Sequence, residues 1–297
     1  MGYGAVWVPV TLLASSAQTL RNAMQRDLIG ALGAVGAAQV RFLFGLPFAI
    51  LFLAGLMAAT GLGAPRLTAL NLSWTAFGAV SQVIATSMML AAMRTKSFVV
   101  AVAYTKTEAA QIALFGLVAL SDRPTAALIA AIALATLGVA LMAVRSREEL
   151  AADWRSAGLF SATFFAFAAI GFRSAVIGVA SPSKVLSASA ILVAGLAIQS
   201  AALGLYLAVF DRGGARAIVN AWRSSLFAGF MGALASQLWF IAFALSAAAP
   251  VRTLALIEVP MAQVVSLKMF REPPSLREGL GMTLIVAAAA IIVWTAR

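Results

Sequence analysis

Residues Val99–Asp122, VVAVAYTKTEAAQIALFGLVALSD, are long and apolar enough to cross a bilayer, yet carry Tyr104, Lys106, Glu108 and Gln111 in their middle. A charge at the bilayer centre costs roughly 2.5–3.5 kcal/mol on insertion scales, so such residues face a protein interior or a watery cavity. On a regular helix Tyr104, Glu108 and Gln111 (i, i+4, i+7) share one face. Lys106 is two positions from Glu108, about 200° round that helix, which places it out of reach of this carboxylate. It is left to reach across an interface to Glu258 or to snorkel. The stretch has an echo at Val251–Glu272, VRTLALIEVPMAQVVSLKMFRE, where Glu258 and Glu272 are separated by the same 14 residues as Glu108 and Asp122.

Composition sets the class. The chain is 63% hydrophobic and 10% charged, with a mean hydropathy of +0.99. Soluble domains carry about 25% charged residues, so an integral membrane protein is expected. Its net charge of +11 fits basic residues in short loops under the positive-inside rule. No basic run with interleaved aromatics points to nucleic acid. There is no cysteine and no histidine, which removes disulfides, thiolate or imidazole metal sites and Ser-His-Asp, Cys-His or HExxH chemistry. Gly61, Gly63, Gly279 and Gly281 match no phosphate loop, so neither cofactor nor ATP-driven chemistry is expected. Met1–Val10 lacks the basic region of a secretory signal and is read as the start of an uncleaved first helix.

At about 20 apolar residues per span, ten segments qualify: 3–22, 33–59, 70–92, 97–120, 125–144, 157–178, 185–210, 224–248, 251–270 and 276–295. Gly, Pro, Arg and Asp gather in the gaps, as in GLGAPR (61–66), SDRPT (121–125), VRSREELAADWRS (144–156) and DRGGAR (211–216). The halves repeat: Arg21 recurs as Arg173, Ser81-Gln82 as Ser236-Gln237, and Glu108, Asp122 and Pro124 as Glu258, Glu272 and Pro274. Five spans per copy is odd, so the second copy enters from the opposite side. The fold class expected is an all-α integral membrane protein of ten transmembrane helices, two inverted five-helix repeats (1–146 and 147–297) around a central cavity. Arg26, Arg94, Lys96, Arg145, Arg147, Arg155, Arg212, Arg216, Arg223, Arg271 and Arg277 fall in alternate loops. Arg66, Arg123, Lys184, Arg252 and Arg297 fall in the others, so the bias places both termini outside.

Eight of the ten acidic residues, Asp27, Asp122, Glu148, Glu149, Asp153, Asp211, Glu272 and Glu278, lie in loops or at helix ends. Only Glu108 and Glu258 lie well inside spans. They form either a mid-membrane pair for a substrate ammonium or a proton, or a structural pair neutralised by Lys106, an arginine or hydroxyls. Thr11, Ser15, Gln18, Asn22 and Gln25 make one polar stripe on the first helix, which lines a cavity or joins helices. Arg21 and Arg173 bracket the cavity as carboxylate receptors or act as interfacial anchors. Arg41, deeper in AAQVRFLFG, requires a buried partner. Gln82 and Gln237 hydrogen-bond a substrate's polar end or a neighbouring helix. Trp7, Tyr104, Phe164, Phe165 and Trp239 stack on a substrate or pack against protein and lipid. Pro260 permits a kink beside Glu258.

The tail Ala244–Trp294, ALSAAAPVRTLALIEVPMAQVVSLKMFREPPSLREGLGMTLIVAAAAIIVW, resembles the C-terminal part of an EamA-type domain of the drug/metabolite transporter superfamily. The shared marks are Ala244-Leu245, Glu258 with Pro260, Glu272, and Gly281 with Leu284-Ile285, repeated more weakly by Glu108, Asp122 and Gly138. Val259 stands between the glutamate and its proline where the family commonly has none, and Asp122 stands where Glu is usual. The resemblance implies export of small metabolites, amino acids and aromatic ones among them, across a bacterial inner membrane by alternating access, without enzymatic turnover. The alternative is a multidrug exporter of lipophilic cations. Partners implied are a small-molecule substrate and membrane lipid, with a monomer as the unit; Gly138 and Ala287–Ala290 permit close packing on the fifth and tenth helices.

Overall fold

The computed structural model describes residues 5–94, 98–119, 125–143 and 154–295. Lys96, Asp122, Arg123, Pro124, Arg145, Arg147, Glu148, Glu149, Asp153 and Arg297 lie outside the described residues, as does the Arg155 side chain. Every regular element described is helical. The first half holds α1 (Trp7–Leu43), α2 (Gly45–Thr60), α3 (Ala69–Met93), α4 (Phe98–Thr105), α5 (Glu108–Ala119) and α6 (Ala126–Ala143). The second holds α7 (Trp154–Ile177), α8 (Lys184–Phe210), α9 (Arg212–Asn220), α10 (Trp222–Leu245), α11 (Ala248–Leu254), α12 (Glu258–Val265) and α13 (Leu276–Thr295). A 3-10 turn (Ala255–Ile257) joins α11 to α12, and a π segment (Ser266–Phe270) extends α12.

Among the described residues seven helical runs are long and apolar enough to span a membrane. The chain is an all-α membrane protein. Exposed Leu51, Leu205, Phe210 and Leu280 give it an apolar exterior, as lipid requires.

The helix starts are locally encoded. Thr68 Oγ1 accepts from the Asn71 amide at 3.2 Å while Asn71 Oδ1 accepts from the Thr68 amide at 3.0 Å, a reciprocal cap on α3. Ser183 Oγ accepts from the Leu186 amide and caps α8.

One expectation fails. A loop is expected between segments ending at 22 and starting at 33, but helix runs on through Met24–Leu32 and the chain bends at Gly33 alone (φ 68°, ψ 173°). The bend is sharp. Gln25 Nε2 donates to Ala37 O at 2.8 Å, whereas residues twelve apart on one straight helix stand about 18 Å apart. Residues 23–32 contain no proline and stay helical, and Gly33, with no Cβ, takes the positive φ that other residues resist.

The largest interfaces cross the halves: α3 on α7, α1 on α10, and α6 on α13. Small residues allow backbones to meet there. A Cβ on Gly138 would lie 2.6 Å from Gly281 O, and one on Gly281 would lie 2.5 Å from Gly138 O. Gly78 and Gly171 do the same for α3 and α7, where a Cβ on Gly171 would lie 2.9 Å from Gly78 Cα.

Candidate functional site

Two broken helices build the site. The segment expected to run unbroken through Glu108 is interrupted by a turn at Lys106–Thr107, with Lys106 N–H donating to Ala103 O and Thr107 N–H to Tyr104 O. Glu108 is the first residue of α5. Its counterpart Glu258 is the first residue of α12, directly after the 3-10 turn. Pro260 explains that turn: it has no N–H and its ring crowds the carbonyl of Leu256, four residues back. A carboxylate at a helix start also faces the positive end of the helix dipole.

The turn overturns the helical-wheel argument about Lys106. With regular helix lost between them, Lys106 Nζ lies 3.9 Å from Glu108 Oε1, and 2.7 Å from Glu258 Oε2. Arg252 Nη1 lies 3.3 Å from Glu108 Oε1. Gln18 Nε2 donates to both Glu258 oxygens, at 3.0 and 2.8 Å, and Gln18 Oε1 accepts from Trp239 Nε1 at 2.8 Å. The Arg252 guanidinium sits over the Trp239 ring, 4.5 Å from its centroid, which closes a circuit. Trp239, Gln18, Glu258, Lys106, Glu108 and Arg252 thus form one buried ring drawn from α10, α1, α12, the 106–107 turn, α5 and α11.

The two glutamates are not equivalent within it. Both Glu258 oxygens are bonded, whereas Glu108 Oε2 is buried with no partner. Glu108 therefore has an acceptor position to spare.

Two further arginines adjoin the ring. Arg21, 1% exposed, donates through Nη2 to Asn22 Oδ1 at 2.6 Å and through Nη1 to Gln18 Oε1 at 3.4 Å. Arg41, also 1% exposed, donates through Nη1 to Thr86 Oγ1 at 3.4 Å and through Nη2 to Ser236 Oγ at 3.2 Å. Its buried partners are hydroxyls, with no carboxylate among them.

Of the residues singled out from sequence, the structure joins Gln18, Arg21, Asn22, Glu108, Trp239 and Glu258. All five members of the first-helix polar stripe are buried, but they divide. Thr11 bonds back to Trp7 O and Gln25 holds the Gly33 bend, while Gln18 and Asn22 serve the ring. Gln82 Oε1 instead accepts from Gln199 Nε2 at 2.8 Å, a helix-to-helix bond. Arg173 Nε donates to Ser246 O at 3.4 Å, at the end of α10. Gln237 is buried beside an apolar groove of about 410 Å³ lined by Leu51, Phe52 and Leu56 of α2. Tyr104 packs against Gly158 of α7. Gln111 is half-buried on α5, away from these bonds.

Sequence reasoning missed Arg252 by assigning it to a loop. The helix begins at Ala248 and carries Arg252 inward, 5% exposed. The apolar residues on both sides of Arg252 were the available signal.

A second charged cluster joins α1 to the chain beyond α12. Arg26 Nη2 lies 2.9 Å from Glu272 Oε1, and its guanidinium stacks 4.1 Å from the Phe270 centroid. Glu272 Oε2 accepts from Ser266 Oγ at 2.6 Å and from the Phe98 amide at 3.3 Å. Burial works to raise the Glu272 pKa, but the bonds from Arg26 and Ser266, the Arg26 charge and the Phe98 amide outweigh it and hold the group below its ordinary value.

No protein-family model and no curated protein matches this chain. A solved crystal structure, described only as that of a protein, is similar to it with TM-score 0.68 at 14% identity, covering 97% of this chain and 99% of that one. The likeness concerns the fold alone.

Proposed function

We propose that the chain is a secondary transporter of a bacterial inner membrane, exporting amino acids (aromatic ones included) and similar small metabolites by alternating access. In this reading it has ten spans in two inverted EamA-like repeats, 1–146 and 147–297. Dividing Trp7–Thr60 at Gly33, joining α4 to α5 and α11 to α12, and setting aside the short α9 leaves ten helical rods. Exchanging the halves turns the α3–α7 interface into the α1–α10 interface and leaves α6–α13 and α2–α8 paired with themselves, as a two-fold axis requires. The resemblance of the tail to EamA-type domains speaks the same way.

The observation that carries the reading is the ring itself. Both repeat-related glutamates are buried at the contact between halves, and Lys106 bridges them. A stable bundle does not need charges there, and replacing a buried ion pair with apolar residues is often neutral or stabilising. Ionisable groups inside a membrane are functional candidates by default. Glu108 Oε2 is the acceptor for a substrate ammonium or a proton, and Arg21 the receptor for a carboxylate. Four cations around two carboxylates disfavour lipophilic cations as cargo.

Counterflow of labelled amino acids into proteoliposomes tests the proposal. Uptake that is saturable and lost in Glu108→Gln is expected. Unchanged uptake and unchanged pH dependence in that variant would remove Glu108 from the mechanism.

A further inference from the structure

The charges around the ring do not balance. Among the described residues four buried cations, Arg21, Arg41, Lys106 and Arg252, lie in or beside the ring against two buried carboxylates, Glu108 and Glu258, a surplus of two positive charges. Lys106 and Arg252 account for the carboxylates. Among the described residues Arg21 and Arg41 make no ion pair; Glu258 acts on Arg21 only through its charge, from beyond contact. Both guanidiniums are held by neutral oxygens of Gln18, Asn22, Thr86 and Ser236, and the Nε of each is buried with no partner. A guanidinium has five N–H donors in a fixed fork that matches carboxylate or phosphate oxygens.

The two forks belong to one place. Their side chains converge on Gly232 of α10, where a Cβ would lie 2.9 Å from Arg41 Cγ and 3.5 Å from Arg21 Cδ. Arg41 also feels the repelling charges of Arg21 and Arg252. Holding like charges together in a bilayer is unfavourable, and a bound anion is what offsets it. A substrate with one carboxylate and one ammonium would leave the surplus untouched.

We propose that Arg41, with Arg21, forms an anion subsite beside the ring, and that the cargo is a small molecule bearing two negative charges, such as an acidic amino acid. This deepens the transporter reading and rests on it. Arg41 receives the second acid group from between Thr86 and Ser236. Arg21 receives the first, and an ammonium meets Glu108 Oε2. Gly232 leaves the room the two forks occupy.

The test is titration calorimetry on the purified full-length protein at pH 7, with L-glutamate, its near-isostere L-glutamine, succinate and inorganic phosphate. A hydrogen-bonded charge pair corresponds to about tenfold or more in affinity, so glutamate and succinate are expected to bind at least about tenfold more tightly than glutamine. Arg41→Gln should abolish the preference and Arg41→Lys should keep part of it. Phosphate displacing glutamate more strongly than succinate does would place both charges on one centre, and supports the subsite. Equal binding of glutamate and glutamine by the wild-type protein overturns it, whether or not Arg41→Gln folds; so does a preference that survives in a folded Arg41→Gln. Counterflow separates the two readings. Neutral amino acids exchanged without charge preference sink the subsite alone, and Arg41-dependent binding without any exchange sinks the transporter alone.

Discussion

Lys106 Nζ lies 2.7 Å from Glu258 Oε2, and the two residues belong to opposite halves of the chain. Lys106 sits in the break between α4 and α5, and Glu258 follows the break between α11 and α12. The contact between halves therefore runs through two places where regular helix has been given up.

Breaking that pair from one side should be expensive. Lys106→Met leaves the Glu258 carboxylate buried with hydrogen bonds from Gln18 but no paired cation, and removing one partner of a buried pair costs about 3–5 kcal/mol. Unfolding in detergent should show a loss of that size, with the double variant K106M/E258M recovering most of it. A double variant as unstable as the sum of the two singles would mean that the residues do not interact.

Glu258 and Glu108 should differ in their response to amidation. Both Glu258 oxygens are bonded, so Glu258→Gln places an amide N–H against Lys106 or Gln18 donors and should lower both stability and transport. Glu108→Gln keeps an oxygen for Arg252 and changes the group at Oε2, which has no partner, so it should lose less stability than Glu258→Gln while losing transport. Thermal stability and counterflow measured side by side decide this. Equal destabilisation of the two would contradict it.

The close approach of α6 and α13 predicts intolerance of a single methyl group. The Cβ of Gly138→Ala meets the backbone oxygen of Gly281, which cannot rotate away as a side chain can. Overpacking of this kind costs about 1–3 kcal/mol, and Gly281→Ala should cost the same. Neutral behaviour of both in an unfolding titration would show that the helices stand further apart.

The Arg26–Glu272 contact should weaken in acid. The Glu272 pKa is lowered by folding, so its contribution is fully present above the ordinary value of 4.5 and is lost as pH falls through the lower folded-state value. The chain has no cysteine, so one placed at Ile29 reports access to the adjoining cavity of about 310 Å³ without background. Labelling should rise with acidification in this range. Glu272→Gln should label readily at all pH values; a labelling rate indifferent to both changes would show that the ion pair does not control access to Ile29.

Gly33 carries the bend in α1 at φ 68°. Gly33→Ala places a Cβ at a positive φ with extended ψ (173°), a region nearly confined to glycine, at about 1–3 kcal/mol. No neighbouring atom would meet that Cβ within 4 Å, so any loss of stability on unfolding comes from the backbone alone. An unchanged midpoint would refute the bend.

Apolar helices able to span a membrane, the helical class and the burial of Glu108 and Glu258 were legible in the sequence, because each follows from solvation. Apolar runs can satisfy their backbone within a bilayer only as helix, and a carboxylate in such a run needs a partner. The buried stripe through Gln18 and Asn22 was legible too, since periodicity alone sets a face. Partnership was not. Lys106 was judged on an ideal helix, and the turn at 106–107 removed that geometry. Arg252 was placed outside because its position near the start of an apolar run resembles an interfacial anchor. Arg173 and Gln82 look like site residues in sequence, yet one holds a helix end and the other a neighbouring glutamine.

The amino-acid order by itself determined what has to be buried: the spans, the paired acids, and the cations that accompany them. Which cation meets which acid, and that Arg21 and Arg41 are left without one, was decided only when α1, α3, α5, α10 and α12 packed together. Burial is a property of each segment's own transfer free energy. Pairing depends on distances of a few ångströms between segments far apart in the chain, and no local pattern encodes those.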